Sequence, residues 1–241
     1  MLLIFHALVA THILAGTTGA ITFWVPVLGR KGGVDHRKWG KIFTRAMLIT
    51  GSLAICMSIM TLIDPMGTHP HLADRFDDVF VRAIFGWLML HMGILTVNLA
   101  WYGWLCVLNR REHLANRTPL NMGLQAAVLI AALNCALQGW LAGQYLMIGL
   151  AMVGIATGVT NLVFLLNPKP APLVWQKEHL KALVGAGISV YTAFFAFGSV
   201  RILPELALNP VMWAIPLTTG VLMILYHWRQ IGMMRRRVVT P

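Results

Sequence analysis

Residues 118–168 contain no Asp, Glu, Lys or Arg. One straight helix over that stretch would be roughly 75 Å long at about 1.5 Å per residue. That is more than twice the hydrocarbon thickness of a bilayer, about 30 Å. The segment must therefore fold back on itself. The stretch "QGWLAGQ" at 138–144 supplies the turn and divides it into helices near 119–140 and 145–167. Two such helices in succession offer water almost no polar face.

Other runs of the same kind surround this segment. Residues 1–28 carry no Asp, Glu, Lys or Arg, 42–63 carry only Arg45, and 79–108 carry only Arg82. Two later runs, about 180–201 and 210–229, are separated by "LPELALNP". Each run approaches or exceeds the 20 or so residues that a spanning helix needs. The expected fold is all-α, a polytopic membrane bundle of seven transmembrane helices forming one transmembrane domain over 1–241. Composition agrees, because 11% charged residues is far below the roughly 25% of soluble domains.

Charge placement predicts the orientation. With the N-terminus outside and the C-terminus cytoplasmic, the inner segments hold 16 of the 19 basic residues, leaving Arg75, Arg82 and Arg201 outside. Asp64, Asp74, Asp77, Asp78 and Glu205 fall on the outer side. This is the positive-inside pattern. The net charge of +11 does not point to nucleic acid, because the charges sit in short clusters between apolar runs rather than over one exposed face. The partner they imply is the lipid bilayer. The first sixteen residues lack a basic stretch before the apolar run, so they read as a retained first helix rather than a cleaved signal. Cys56, Cys106 and Cys135 all lie in apolar runs and have no metal-type spacing. Gly154 and Gly158 form a GxxxG step, and Gly185 and Gly187 crowd the sixth span. All four are expected at helix contacts.

Ionisable groups inside a membrane are costly, so each is a candidate for function. His12 lies in the first span and His91 in the third, at similar expected depth near mid-membrane. Gly16 shares the face of His12 one turn along and leaves room for a flat macrocycle. The pair suggests a b-type haem, or another transition metal, between the first and third helices. Hydrogen bonding to nearby hydroxyls or amides, with no cofactor, is the competing reading. On the outer side "THPHLAD" places His69, His71 and Asp74 together, with His6 near the same surface. That set has the donor types of a zinc or copper site. On the inner side His36, Arg37 and His179 could hold haem propionates, a quinone head group or a lipid phosphate. Arg37 and Glu178 are the expected salt bridge between two inner loops.

His12-x-x-Ala-Gly16 followed by "HRKWGKIF" at 36–43 resembles the His-Arg-x-x-Gly-[Arg/Lys]-Ile-[Tyr/Phe] element of a family of small bacterial inner-membrane proteins of unknown function. "GISVYTAFFAFGSVRILP" at 187–204 is similar to a later aromatic helix of that family. The matching positions are His12, Gly16, His36, Arg37, Gly40 and His179. The resemblance implies a histidine-bearing multi-helix fold and no particular reaction. No Ser-His-Asp set, Walker loop or HExxH is present.

The leading expectation is a haem- or metal-binding electron-transfer subunit of the bacterial cytoplasmic (inner) membrane. His12 and His91 would be its ligands, and a quinone or a membrane partner subunit would exchange electrons with it. Two other classes stay open. One is a small proton-coupled transporter or channel using the buried histidines. The other is a structural or assembly subunit with no cofactor.

Overall fold

The computed structural model describes residues 1–198 and 209–239, without the side chains of 197, 210 and 234–239. Expectations for Arg201, Glu205 and the connection before the seventh span lie outside the described residues, as do those for the side chains of Arg235, Arg236 and Arg237. Among the described residues there are long helices and no strands. Seven helices are long and apolar enough to cross a membrane. They are α1 (Leu2–Leu28), α2 (Val34–Ile63), α3 (Asp78–Leu108), α4 (Pro119–Leu141), α5 (Tyr145–Leu166), α6 (Val174–Ala193) and α7 (Pro210–Val239). The chain is a multi-pass membrane protein of the expected class.

Several boundaries differ from those read from charge. α2 begins at Val34 rather than near 42, so "VDHRKWGKIF" is helix and not loop. The connection before it is only residues 29–33, where Gly32 supplies the left-handed turn at φ 74°. Asp35 sits in the first turn of α2, where the helix dipole favours a negative charge. α6 likewise begins at Val174 rather than near 180, and α7 continues to Val239 rather than ending near 229. Counting apolar residues finds only the part of a helix that lipid demands, whereas charged helical turns continue past it. The turn at 142–144 falls where expected, with Gly143 at φ 65°.

α3 departs from regular geometry. Residues Arg82–Leu88 form a π-helical segment between Val81 and Met89. Arg82 also explains itself here. It pairs with Asp78 at 3.0 Å and reaches the Leu62 carbonyl, one of the last carbonyls of α2, which the helix itself cannot satisfy.

The chain separates into two compact units. The first comprises Met1–Thr18, Arg45–Asn98 and Pro119–Val163; the second comprises Gly19–Thr44, Leu99–Thr118 and Phe164–Pro241. Among described residues the second unit holds 15 Lys and Arg against three Asp and Glu, and the first holds three against four. The basic loops therefore belong to one unit.

On α4 of the first unit two polar side chains point in while several large apolar ones point out. Asn121 and Gln125 of α4 are fully buried, while Ile130, Leu133, Leu137 and Leu141 of the same helix are 54–70% exposed. Large exposed apolar faces of this kind suit lipid and not water. Glycine sets the closest approach. A Cβ on Gly51 of α2 would lie 2.8 Å from Val97 Cγ2 and 3.0 Å from the Gly93 carbonyl oxygen of α3. A Cβ on Gly93 would lie 3.1 Å from the Gly51 carbonyl oxygen. The two backbones touch, as small residues permit in a membrane.

Gly51→Leu should therefore destabilise the purified protein by about 2 kcal/mol through overpacking. Gly123→Leu, at a position with nothing within 4 Å of a Cβ, should cost far less. Thermal unfolding of the two variants in detergent makes the comparison.

Candidate functional site

Three histidines use the same device. His12 Nδ1 donates to the Thr50 carbonyl of α2 at 3.0 Å. His36 Nδ1 donates to the Pro26 carbonyl of α1 at 3.1 Å. His179 Nδ1 donates to the Gly103 carbonyl of α3 at 2.9 Å. A carbonyl oxygen can only accept, so each Nδ1 carries the proton and each Nε2 keeps a lone pair. This is the arrangement in which a second contact orients a metal-ligating imidazole. Pro26 also lies in the last turn of α1, where carbonyls lack helical partners. His36 and Lys31 together cap it.

In the second unit two of these imidazoles meet. The rings of His36 and His179 are 6.4 Å apart between centroids and inclined at 64°. His36 thus faces His179, the arrangement in which the basic stretch of α2 turns a histidine inward. Arg37 is exposed and makes no ion pair among the described residues. The expected Arg37–Glu178 bridge is not formed. Glu178 instead accepts from the Tyr102 hydroxyl at 2.7 Å and pairs with Lys181 at 2.5 Å. Lys181 is three residues along the same helix, whereas Arg37 begins a different one. One turn from His36, Gly40 has nothing within 4 Å of where a Cβ would be.

The sequence of contacts on α6 explains how His179 is aimed. Glu178 bonds Tyr102 and the next residue bonds the carbonyl of Gly103. Two consecutive residues thereby fix the rotation of α6 against α3. Gly103 allows the approach, because a Cβ there would lie 2.9 Å from Leu183 and 3.0 Å from Ala182. Trp228 of α7 adds a bond to the Lys177 carbonyl at 3.1 Å.

In the first unit His12 and His91 are bonded to different helices, His12 to the Thr50 carbonyl of α2 and His91 to the Leu150 carbonyl of α5. His91 is fully buried, with Nε2 at 3.4 Å from the Leu150 carbonyl of α5. Its ring occupies the space that a Cβ on Gly154 would need. The GxxxG glycine therefore makes room for an imidazole as well as for Ala132 of α4. Gly158 is packed by Leu129. Gly16 is buried one turn from His12. His12 and His91 find main-chain carbonyls rather than hydroxyl or amide side chains as partners.

The segment 64–77 uses its polar residues structurally. Asp64 caps the one-turn helix Pro65–Thr68 by accepting from Gly67 N at 2.9 Å, and Asp77 does the same for Phe80 N at 2.8 Å. His69 is 9% exposed, packed on Phe85 at 4.6 Å and on Phe5 at 5.2 Å between ring centroids. Its Nδ1 lies 3.0 Å from the Thr68 hydroxyl. His71 stands 6.0 Å away by ring centroid, and His6 and Asp74 are exposed. Among the described residues no three His, Cys, Asp or Glu side chains are grouped to share a metal ion. Burial, with His71 beside it, pushes the His69 imidazole down to about 4. The cysteines are free, with Cys106 and Cys135 buried and Cys56 exposed.

Two sets of buried polar residues escape a search for charge and histidine. Tyr102 is fully buried beside Glu178. Asn98, Asn121, Gln125 and Asn161 are fully buried together in the first unit. The signal for the second set was the Asn121/Gln125 spacing of four, which places both on one face of α4. Compared with protein-family models, curated proteins and solved structures, the chain matches none.

Two outcomes follow. Glu178→Ala removes the partner of a buried tyrosine hydroxyl and of Lys181, and should cost about 3 kcal/mol. Glu178→Gln keeps an acceptor for Tyr102 and should cost less, as unfolding in detergent would show. For His69 the folded imidazole resists protonation while the unfolded one takes a proton near its usual 6.5. The fold should lose stability as pH falls from about 6.5 to about 4, by about 3 kcal/mol in all, with no contribution above that window. His69→Phe should flatten this part of the melting-temperature profile.

Proposed function

We propose that this protein is a membrane electron-transfer protein that holds a b-type haem through His36 of α2 and His179 of α6. One observation carries the reading. Two imidazoles from different helices approach within 6.4 Å, each with Nδ1 tied to a carbonyl and Nε2 left as a lone-pair donor. Through their Nε2 atoms the two imidazoles could share one iron ion. Two protein ligands suffice for a haem iron, whereas a structural zinc site takes four. Open space at Gly40, one turn from His36, suits the edge of a macrocycle. Arg37, exposed beside His36, and Lys31 offer charge to propionates. The bound haem would supply the one-electron chemistry; the chain supplies ligands, orientation and neutralising charge.

In this reading the basic loops face the cytoplasm of a bacterial inner membrane and the N-terminus lies outside. The concentration of Lys and Arg in those loops supports that orientation. A quinone or a membrane partner subunit would exchange electrons with the centre. His12 and His91 would then hold helices together rather than bind iron.

Expression with ample haem should give a coloured protein with a Soret band. His36→Ala and His179→Ala should each abolish the band, while His91→Ala should leave it. A colourless, metal-free protein removes the proposal. Loss of the band in His12→Ala and His91→Ala, with retention in His36→Ala, moves the centre to the first unit.

A further inference from the structure

Four amides are buried completely where α3, α4 and α5 pack in the first unit: Asn98, Asn121, Gln125 and Asn161. Their hydrogen bonds have a direction set from one end. The main-chain carbonyl of Asn121 can only accept, and Gln125 Nε2 lies 3.3 Å from it. Gln125 must therefore present its NH2 group there and turn Oε1 the other way. That oxygen accepts from Asn161 Nδ2 at 3.0 Å. The same NH2 group donates to Asn98 Oδ1 at 3.2 Å. Turning any one of these three amides over sets like atoms against each other at one of these contacts.

The chain of bonds leaves two atoms over. Asn98 Nδ2 and Asn161 Oδ1 are buried and have no partner. They belong to amides already in contact, so both lie within one amide width of the 3.2 Å bond. One is a donor and the other an acceptor. Buried polar atoms in folded proteins are nearly always satisfied, and ordered water is the usual agent where protein atoms fall short. A cation at this place would meet an N–H, and an anion would meet a carbonyl oxygen. Only a neutral molecule that both accepts and donates suits the two together. The complete burial of all four amides restricts its size.

We propose that α3, α4 and α5 enclose a binding site for ordered water, which accepts from Asn98 Nδ2 and donates to Asn161 Oδ1. The site is separate from the His36–His179 pair and does not rest on the haem reading. Water held there completes the hydrogen bonding of an amide ladder that ties three spanning helices.

Radiolytic hydroxyl-radical labelling with peptide mass spectrometry tests this on the full chain in detergent. Radicals form from water in place, so buried residues beside bound water are oxidised while dry ones are spared. Leu95 and Val128 lie one turn from Asn98 and Gln125 and are 3% and 0% exposed. Val81 and Ile84 of the same unit, both 0% exposed, are the dry controls. Leu95 and Val128 should label about tenfold faster than the controls, as neighbours of trapped water. Asn98→Leu should bring them down to the control rate. Equal rates in the wild-type protein overturn the proposal, and that comparison stands even where the variant does not fold. Replacing sodium by potassium or lithium at constant ionic strength should leave the melting temperature unchanged. An ion-specific shift that Asn98→Leu abolishes would assign the site to a cation instead.

Discussion

The second unit depends on how α6 is held against α3 by Glu178 and His179. Between helices in lipid there is little hydrophobic force, since lipid tails are as apolar as leucine. Rotation about a helix axis is then decided by polar contacts and by shape. Glu178 takes the Tyr102 hydroxyl, and His179 takes the adjacent Gly103 carbonyl. Neither contact forms at another rotation. Gly103 lets α6 come near enough for both, because any larger residue would strike Leu183 and Ala182. The imidazole of His179 is thereby aimed at His36, which the end of α1 holds through Pro26.

The same economy recurs elsewhere in the chain. His12 reaches a carbonyl of α2, Arg82 reaches a carbonyl of α2, and Trp228 reaches a carbonyl of α6. A carbonyl oxygen has two lone pairs, and a helix uses one of them at most. Polar side chains in the membrane can therefore be satisfied by neighbouring helices without other polar side chains. The chemical result differs by residue. An arginine so used is consumed, whereas an imidazole tied at Nδ1 still carries a free Nε2.

Much of the fold was legible because lipid imposes length. The uncharged stretch 118–168 had to turn, and it turns at 142–144 with Gly143 left-handed. The starts of α2 and α6 were misplaced because charge was taken as the end of helix. Asp35 to Lys41 and Lys177 lie instead on helical turns that continue beyond the apolar run. The site was only half legible. His36 and His179 were singled out, yet Arg37 was matched with Glu178 when Lys181, three residues away on the same helix, was nearer to hand. His12 and His91 were paired by depth, and depth says nothing of which way a side chain points. The amides at 121, 125 and 161 passed unnoticed because they carry no charge, although burying their N–H and C=O groups is costly too.

By itself the sequence determined the class, the number of spans and the division of charge between the loops. Each of these follows from the free energy of moving a residue between water and lipid, a property of local composition. Tertiary structure alone decided which histidine meets which. Gly154 admits the His91 ring toward α4 and α5, and Gly103 admits α6 toward α3. Those choices depend on helix rotation and on contacts between residues far apart in the chain, such as 36 with 179 and 102 with 178. No local preference encodes them.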